Sequence, residues 1–107
     1  MSFMTKATFF TENGAVCGFH LEGHSTKDAG DGEGKLLCAA VSSAAYMAAN
    51  TVTDVIGDKA DIKVQDGDMY LKVYSPTEET KAILNGFKLH LSELSKQYGK
   101  RLTITEV

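Results

Sequence analysis

Residues 36–56 have the sequence LLCAAVSSAAYMAANTVTDVI, and this stretch decides the fold. Its apolar residues recur every three or four positions, as on the buried face of a helix. The residues of that predicted face are Leu37, Val41, Ala44, Ala48, Val52 and Val55. The many alanines favour close packing against a sheet or another helix, and Gly57 predicts the end of the helix.

Segments typical of β-strands lie on both sides of this helix. The five predicted strands occupy residues 3–11, 15–22, 60–64, 69–74 and 101–107. The dipeptides Asn13-Gly14 and Asp66-Gly67 each separate two of these strands, and both are strong signals for a hairpin turn. The sequence therefore predicts two antiparallel hairpins, one before the long helix and one after it.

A second helix is predicted for residues 77–98, with Ser75 or Thr77 as its N-cap and Gly99 at its end. Its apolar stripe consists of Ile83, Leu84, Phe87, Leu91, Leu94 and Tyr98. The element order is ββαββαβ, which predicts an α+β two-layer sandwich: a mainly antiparallel sheet with two helices on it. A length of 107 residues predicts one domain that spans residues 1–107.

Composition and charge narrow the class of function. Hydrophobic residues make up 43% of the chain and charged residues 23%, as in an ordinary globular protein. The net charge of -3 argues against a nonspecific nucleic-acid binder and weakly favours a basic partner. No apolar run approaches the roughly 20 residues of a membrane span, and the N-terminus lacks the pattern of a signal peptide. These features predict a cytoplasmic protein with no membrane partner, in which two cysteines are expected to be free thiols.

Chemistry concentrates in the stretch from Gly23 to Ser42. Cys38 lies in the first turn of a helix that starts at Leu36, where unpaired N–H groups and the helix dipole favour a thiolate. His24 can accept the thiol proton, and a flexible segment of 13 residues can bring the two side chains together. This pattern suggests a cysteine nucleophile with a histidine base. On pattern alone, Cys38 is explained equally well as a buried helix residue, whereas His24 is better explained as a solvated strand-end or loop residue.

Several neighbouring residues are candidates for supporting roles. Ser42 lies one helical turn after Cys38 and shares its face, and Asp31 is one of the acidic residues that can orient the imidazole of His24. The segment between the histidine and the cysteine is predicted to be a flexible loop. The glycines expected to provide its mobility are Gly23, Gly30, Gly32 and Gly34.

A zinc site is the alternative use of the same residues. Cys17, His20, His24 and Cys38 are possible ligands for a tetrahedral ion. In a regular strand Cys17 and His20 point to opposite faces, so a site would need a bulge that nothing in the sequence signals. No metal or other cofactor is therefore predicted. A phosphate-binding loop is also disfavoured, because Ala29 and Leu36 occupy its required glycine and hydroxyl positions.

The pairing of Gly23-His24 with the run Cys38-Ala39-Ala40-Val41-Ser42, across a glycine-containing loop, resembles the ribosomal-processing cysteine proteases of bacteria. The resemblance covers essentially the whole chain in length and element order. It implies a homodimeric cysteine endopeptidase that cleaves off the N-terminal extension of ribosomal protein bL27. A noncatalytic ribosome-associated binding module is the remaining alternative.

The same resemblance assigns roles to residues. It implies that His24 and Cys38 form the catalytic pair, that Ser42 lies beside the active site, and that the loop between the pair acts as a lid. Many relatives have an aspartate three residues before the cysteine, where this chain has Lys35. Asp31 is then the candidate for the orienting role, unless the enzyme works with the pair alone.

Overall fold

The structure, a computed structural model, describes residues 4–25 and 28–107, and its elements follow the predicted order. The strands are β1 Thr5–Glu12, β2 Ala15–Glu22, β3 Ala60–Gln65, β4 Asp68–Val73 and β5 Leu102–Glu106, and the helices are α1 Gly32–Asn50 and α2 Glu78–Tyr98. The sheet has the order β3-β4-β2-β1-β5. Strands β1 and β5 pair in parallel and the other neighbours are antiparallel, which confirms the predicted α+β fold.

Both predicted hairpins form at the predicted turns. Asn13 and Gly14 have positive φ angles of 53° and 79°, as a two-residue turn between twisted strands requires. Gly67 also has a positive φ, 72°, in the turn between β3 and β4. The second hairpin joins the first because β4 pairs with β2. As a result, the Asp66-Gly67 turn lies next to the end of β2, where His24 follows.

The helix α1 begins at Gly32, four residues before the predicted start at Leu36. Asp31 caps it, because its side chain accepts a hydrogen bond of 3.1 Å from the amide of Gly34. The low helix propensity of Gly32 and Gly34 had suggested a loop, whereas the cap and tertiary contacts stabilise a helical turn here. The flexible loop predicted for residues 23–35 is therefore shorter than expected.

The buried stripe of α1 differs from the prediction at its end. Ala45 is buried together with Leu37, Val41, Ala48 and Val52. Val55, predicted to be buried, is 78% exposed. The helix continues beyond Asn50 as a π-helical turn, Thr51–Ile56, which holds more residues per turn and rotates the later positions out of the stripe. Gly57, with φ of 85°, ends the helix as predicted.

Helix α2 matches its prediction closely. Thr77 is the N-cap, and its side chain accepts from the amide of Thr80 at 3.4 Å. The Asp58 carboxylate, which precedes β3, accepts hydrogen bonds from the amide and hydroxyl of Thr77 and from the hydroxyl of Thr80. These bonds, the one from the Thr77 amide above all, lower the pKa of Asp58. The α2 start is thereby fixed to the loop that enters the second hairpin.

The core lies between the helices and one face of the sheet. Phe9 of β1 and Phe19 of β2 contact Phe87 of α2, with ring centroids 5.8 and 4.8 Å apart respectively. Such pairs add edge-to-face attraction to the burial of apolar area. The strands and helices thus share one core, while β3 stays at the sheet edge with its side chains largely exposed.

The segment Gly32–Ile56 is, by length and composition alone, apolar enough to cross a membrane. This differs from the sequence-based expectation that no run approaches that length. In the structure its apolar residues supply one side of the core, with Leu37, Ala45 and Val52 completely buried. Packing against α2 and the sheet therefore accounts for its apolar character.

Candidate active site

Cys38 lies in the second turn of α1 rather than the first, because the helix begins at Gly32. Two amides of the first turn already have acceptors: Gly34 donates to the Asp31 side chain, and Lys35 donates to the Asp31 carbonyl at 3.1 Å. The prediction that Cys38 lies in the first turn, among its unpaired N–H groups, is therefore wrong. The backbone amide of Ser25 contacts the sulfur, with its nitrogen 3.3 Å from Cys38 Sγ.

His24 directly follows the end of β2 and Gly23. Gly23 has a φ of 91°, and a side chain there would meet the carbonyl oxygen of Met4 at 2.5 Å, so glycine is required. The Gly23 amide donates to the Gly67 carbonyl at 2.9 Å, which ties this segment to the β3–β4 turn. The imidazole of His24 lies against the same turn, with Nε2 3.7 Å from Oδ2 of Asp66.

A cavity of about 480 Å³ lies between α1 and the β3–β4 hairpin. His24, Cys38 and Ser42 all line it, so the structure brings together the predicted pair and one supporting residue. Cys38 is half-buried, and Ser42 is exposed one turn further along α1. The other lining residues come mainly from β2, α1 and the hairpin: Thr5, Leu21, Gly23, Val41, Ala45, Tyr46, Val64, Gln65, Asp66, Gly67, Asp68 and Met69. A thiol, an imidazole and a hydroxyl in one open cavity suit nucleophilic catalysis on an acyl group.

The sequence profile of the cysteine protease Prp family matches residues 4–103 of this chain. The chain belongs to this family. The predictions of the family and of a cysteine protease are therefore confirmed. A comparison with curated protein sequences finds no match.

Solved structures of the Prp fold are similar over nearly the whole chain. The essential ribosomal processing protease Prp from Staphylococcus aureus, with a covalently linked product peptide, has a TM-score of 0.84 and 17% identity, covering 97% of this chain and 100% of that one. The same protease with a substrate peptide gives 0.85 and 18%, with the same coverage. SMU.848 from Streptococcus mutans gives 0.83 and 21%, covering 97% and 94%. At such identities the likeness shows a shared fold.

In this Prp-family chain Asp31 lies at the start of α1, where it has two functions. One oxygen of its carboxylate caps the helix, and the other forms an ion pair with Arg101 at 2.5 Å. The carboxylate that the structure places beside His24 is that of Asp66, from the β3–β4 turn. The orienting role predicted for Asp31 stays a prediction, and Asp66 is the acidic residue that sequence reasoning missed.

The glycines predicted to form a mobile loop fall into different environments. Gly30 lies in the turn before α1, whereas Gly32 and Gly34 belong to the helix, which corrects their assignment to the loop. Gly34 is buried, and a side chain there would meet neighbouring atoms at 2.5–2.6 Å. It permits close packing rather than mobility. The predicted lid also includes residues 26 and 27, which lie outside the described residues.

The four residues of the zinc alternative do not meet in the cavity. A bulge is in fact present, because Phe10 pairs with Gly18 and Thr11 with Val16, which leaves Cys17 as the extra residue. Cys17 is nevertheless only 1% exposed, and burial, helped by the charge of Glu12, raises the pKa of its thiol. The structure thus places Cys17 in the sheet and away from the cavity lining.

His20 likewise does not line the cavity. It lies between two carboxylates: its Nε2 is 3.0 Å from Asp68, and its Nδ1 is 3.4 Å from Glu22. Glu22 and Asp68 are directly opposite each other on β2 and β4, where like charges repel. The cluster follows from the pairing of β2 with β4, which brings both carboxylates beside His20.

Proposed function

We propose that this chain is a ribosomal-processing endopeptidase that removes the N-terminal extension of ribosomal protein bL27, with Cys38 as nucleophile and His24 as base. The observation that carries the proposal is the cavity in which a half-buried thiol, contacted by one backbone amide, faces the same space as a histidine. The name of the Staphylococcus aureus relative, a ribosomal processing protease, supports the substrate class.

The first half of the reaction forms an acyl-enzyme. His24 takes the proton of the Cys38 thiol, and the thiolate attacks the scissile carbonyl carbon to form a C–S bond. Because Nε2 of His24 faces Asp66 and Gly67, Nδ1 is the nitrogen that receives this proton. The C–N bond then breaks, and the imidazolium gives its proton to the leaving amine.

The second half restores the thiol. A water molecule that gives a proton to His24 attacks the thioester carbonyl, the C–S bond breaks, and the extension leaves as a carboxylic acid, while the imidazolium of His24 returns its proton to the sulfur of Cys38. In both halves negative charge develops on the carbonyl oxygen, whose carbon is bonded to Sγ. The Ser25 amide, already at the sulfur, is a backbone donor close enough to stabilise that charge after a small shift.

The lining of the cavity suits an extended peptide. Its floor is apolar, with Leu21, Val41 and Met69, and half-exposed Tyr46 stands at its side. Acidic side chains of the β3–β4 hairpin lie at the other side, which favours a peptide with basic residues near the cut. The apolar floor contributes binding affinity but does not discriminate between peptide sequences. The bond that is cleaved is the one whose carbonyl carbon lies next to Cys38.

A homodimer in the cytoplasm completes the proposal. Large apolar side chains outside the cavity lining are exposed on α1 and on the edge strand β3: Leu36, Met47 and Ile62. A second copy that covers these residues would remove apolar area from water. Cysteines that form no disulfide, as found for Cys17 and Cys38, suit a reducing compartment. Sedimentation at micromolar concentration tests the dimer, and a monomer would contradict it.

The substrate assignment is tested with a synthetic peptide that spans the extension junction of bL27 from the same genome. We expect the wild type to yield two fragments with masses of a single cut at that junction. Cys38→Ala and Cys38→Ser are expected to give none, while a peptide that begins at the mature N-terminus stays intact. Cleavage that survives in both variants would exclude Cys38, and no cleavage by the wild type would exclude this substrate.

A further inference from the structure

Arg101 connects the two chain segments that carry the proposed catalytic pair. It lies just before β5, far in sequence from both segments, and its Nη1 donates to the Ser25 carbonyl at 2.9 Å and to the Asp31 carboxylate at 2.5 Å. Ser25 directly follows His24, and Asp31 caps the helix that holds Cys38. The side chains of Arg101 and Asp31 are 29% and 10% exposed, so this ion pair is shielded from water.

Ser25 is held by further contacts on its other sides. It is completely buried, its hydroxyl donates to the backbone carbonyl of Arg101 at 2.9 Å, and it shares a hydrogen bond of 2.8 Å with the hydroxyl of Thr5. Its backbone amide donates to Cys38 Sγ. A residue fixed by its carbonyl and its hydroxyl cannot turn its amide away from the sulfur without breaking these bonds.

The packing at Gly34 shows how closely these groups converge. A Cβ on Gly34 would lie 2.5 Å from Oδ2 of Asp31, 2.6 Å from Nη1 of Arg101 and 2.6 Å from the carbonyl oxygen of Ser25. Atoms in real structures do not approach a Cβ so closely. The contact between the guanidinium, the cap and the Ser25 carbonyl therefore depends on glycine at this helix position.

The charge of Arg101 also acts in this region. Its hydrogen bond with Asp31 is the largest cause that raises the pKa of Arg101, and the charges of Glu33 and Cys38 raise it further. The guanidinium is thus close enough to Cys38 to interact with a charge on its sulfur.

We propose that Arg101 is a positioning residue of this protease, which holds the Ser25 amide against the Cys38 sulfur and fixes the start of α1 beside it. It acts through Ser25 and Asp31 and contacts no substrate. The inference deepens the proposed function and rests on it in one respect, namely that Cys38 is the nucleophile. It also explains why an arginine at the far end of the sequence belongs to a site built from residues 23–42.

Two readouts test the proposal: the rate at which iodoacetamide alkylates Cys38 at a fixed neutral pH, and kcat and KM for the junction peptide. Arg101→Gln removes both hydrogen bonds and the charge. We expect kcat to fall about 10- to 100-fold, the cost of a misplaced catalytic group, with KM nearly unchanged. Alkylation of Cys38 is expected to slow in parallel. Lys100→Gln, which removes the same charge one residue away at an exposed position, serves as the matched control and leaves both rates unchanged.

Arg101→Lys separates geometry from charge, and it also serves if the glutamine variant does not fold. Lysine keeps the charge but lacks the planar fork that binds two acceptors at once. A loss of kcat and of alkylation rate in this variant, at unchanged melting temperature, is expected. Wild-type rates in a folded Arg101→Gln would overturn the proposal. So would wild-type rates in Arg101→Lys, since charge alone would then suffice.

The alkylation assay needs no peptide, which keeps the two proposals apart. If the wild type does not cut the bL27 junction, the proposed substrate fails, while the comparison of alkylation rates still decides the role of Arg101. Cys38→Ala gives the background from Cys17, whose thiol is buried. If Cys38 reacts equally fast in all variants, the positioning role fails even where proteolysis is intact.

Discussion

Cys38 and His24 line the same cavity, but their surroundings differ in kind. The region around Cys38 is internal: the Ser25 amide contacts the sulfur, and Asp31 and Arg101 pair with little exposure to water. The region around His24 is external. Its side chain is 55% exposed, and the nearest carboxylate, that of Asp66, is completely exposed at 3.7 Å.

The difference indicates a division of tasks. Interactions shielded from water are stronger and hold one geometry, whereas exposed ion pairs contribute little and permit movement. The nucleophile is therefore fixed before substrate arrives. The base follows the end of β2 and lies against the β3–β4 turn, so it can adjust its position when a peptide fills the cavity and serve first as acid and then as base. Substitutions around Cys38 should therefore lower activity or stability more than substitutions in the β3–β4 turn that contacts His24.

The largest effect is expected when the base itself is removed. His24→Ala should lower kcat/KM for the junction peptide by about 10²- to 10⁴-fold, because general acid–base catalysis is lost. The melting temperature should change little, since the imidazole is half-exposed. His20→Ala is the control, because His20 lies outside the cavity. An equal loss in both variants would mean that the effect is structural.

The next largest effect tests the internal region through its glycine. Gly34→Ala would place a methyl group among Asp31, Arg101 and Ser25, so we expect destabilisation by about 1–3 kcal/mol, as in other overpacked sites. Alanine normally favours a helix over glycine, and Gly86→Ala in α2, with open space around it, should stabilise the protein by up to about 1 kcal/mol. Urea denaturation measures both. The same sign in the two variants would contradict the close packing at Gly34.

The fold was predictable where local signals govern it. Asn13-Gly14 and Asp66-Gly67 determine hairpin turns through backbone geometry, and Thr77 caps α2 by a contact three residues away. The start of α1 was not predictable. Its glycine-rich first turn is stabilised by the Asp31 cap and by Arg101, which pairs with Asp31 across 70 residues of sequence. Propensity alone assigned that turn to a loop.

The residues of the site also divide into those that the sequence predicted and those that it did not. His24, Cys38 and Ser42 were recognisable because their residue types and spacing carry chemistry. Ser25 was missed because its contribution is a backbone amide, which no residue type reveals. Asp66 was missed because its approach to His24 depends on the pairing of β4 with β2, and pairing between strands distant in sequence has no local signal.

A smaller effect is expected from the hairpin turn that supports His24. Gly67→Ala would place a Cβ 2.7 Å from Nε2 of the imidazole, at a backbone φ of 72° that alanine disfavours. Because the ring is exposed and can move, we expect kcat to fall about tenfold, less than for His24→Ala, with Cys38 alkylation largely retained. Gly14→Ala is the control. Gly14 lies in the other hairpin turn, at a φ of 79° and with open space around it, so alanine there has the same unfavourable backbone conformation away from the site. Equal kinetics for the two variants would show that the turn does not position His24.

The smallest effect is expected at Asp66. Asp66→Asn keeps the shape of the side chain and removes the negative charge that lies 3.7 Å from Nε2 of His24. Because the pair is fully exposed on one side and longer than a hydrogen bond, we expect kcat/KM to change by no more than about fivefold, the size of a surface ion pair. The change should shrink further at 1 M salt, where such charges are screened. A loss as large as that of His24→Ala, unaffected by salt, would place Asp66 in a fixed catalytic arrangement and would contradict the contrast between an internal nucleophile and an adjustable base.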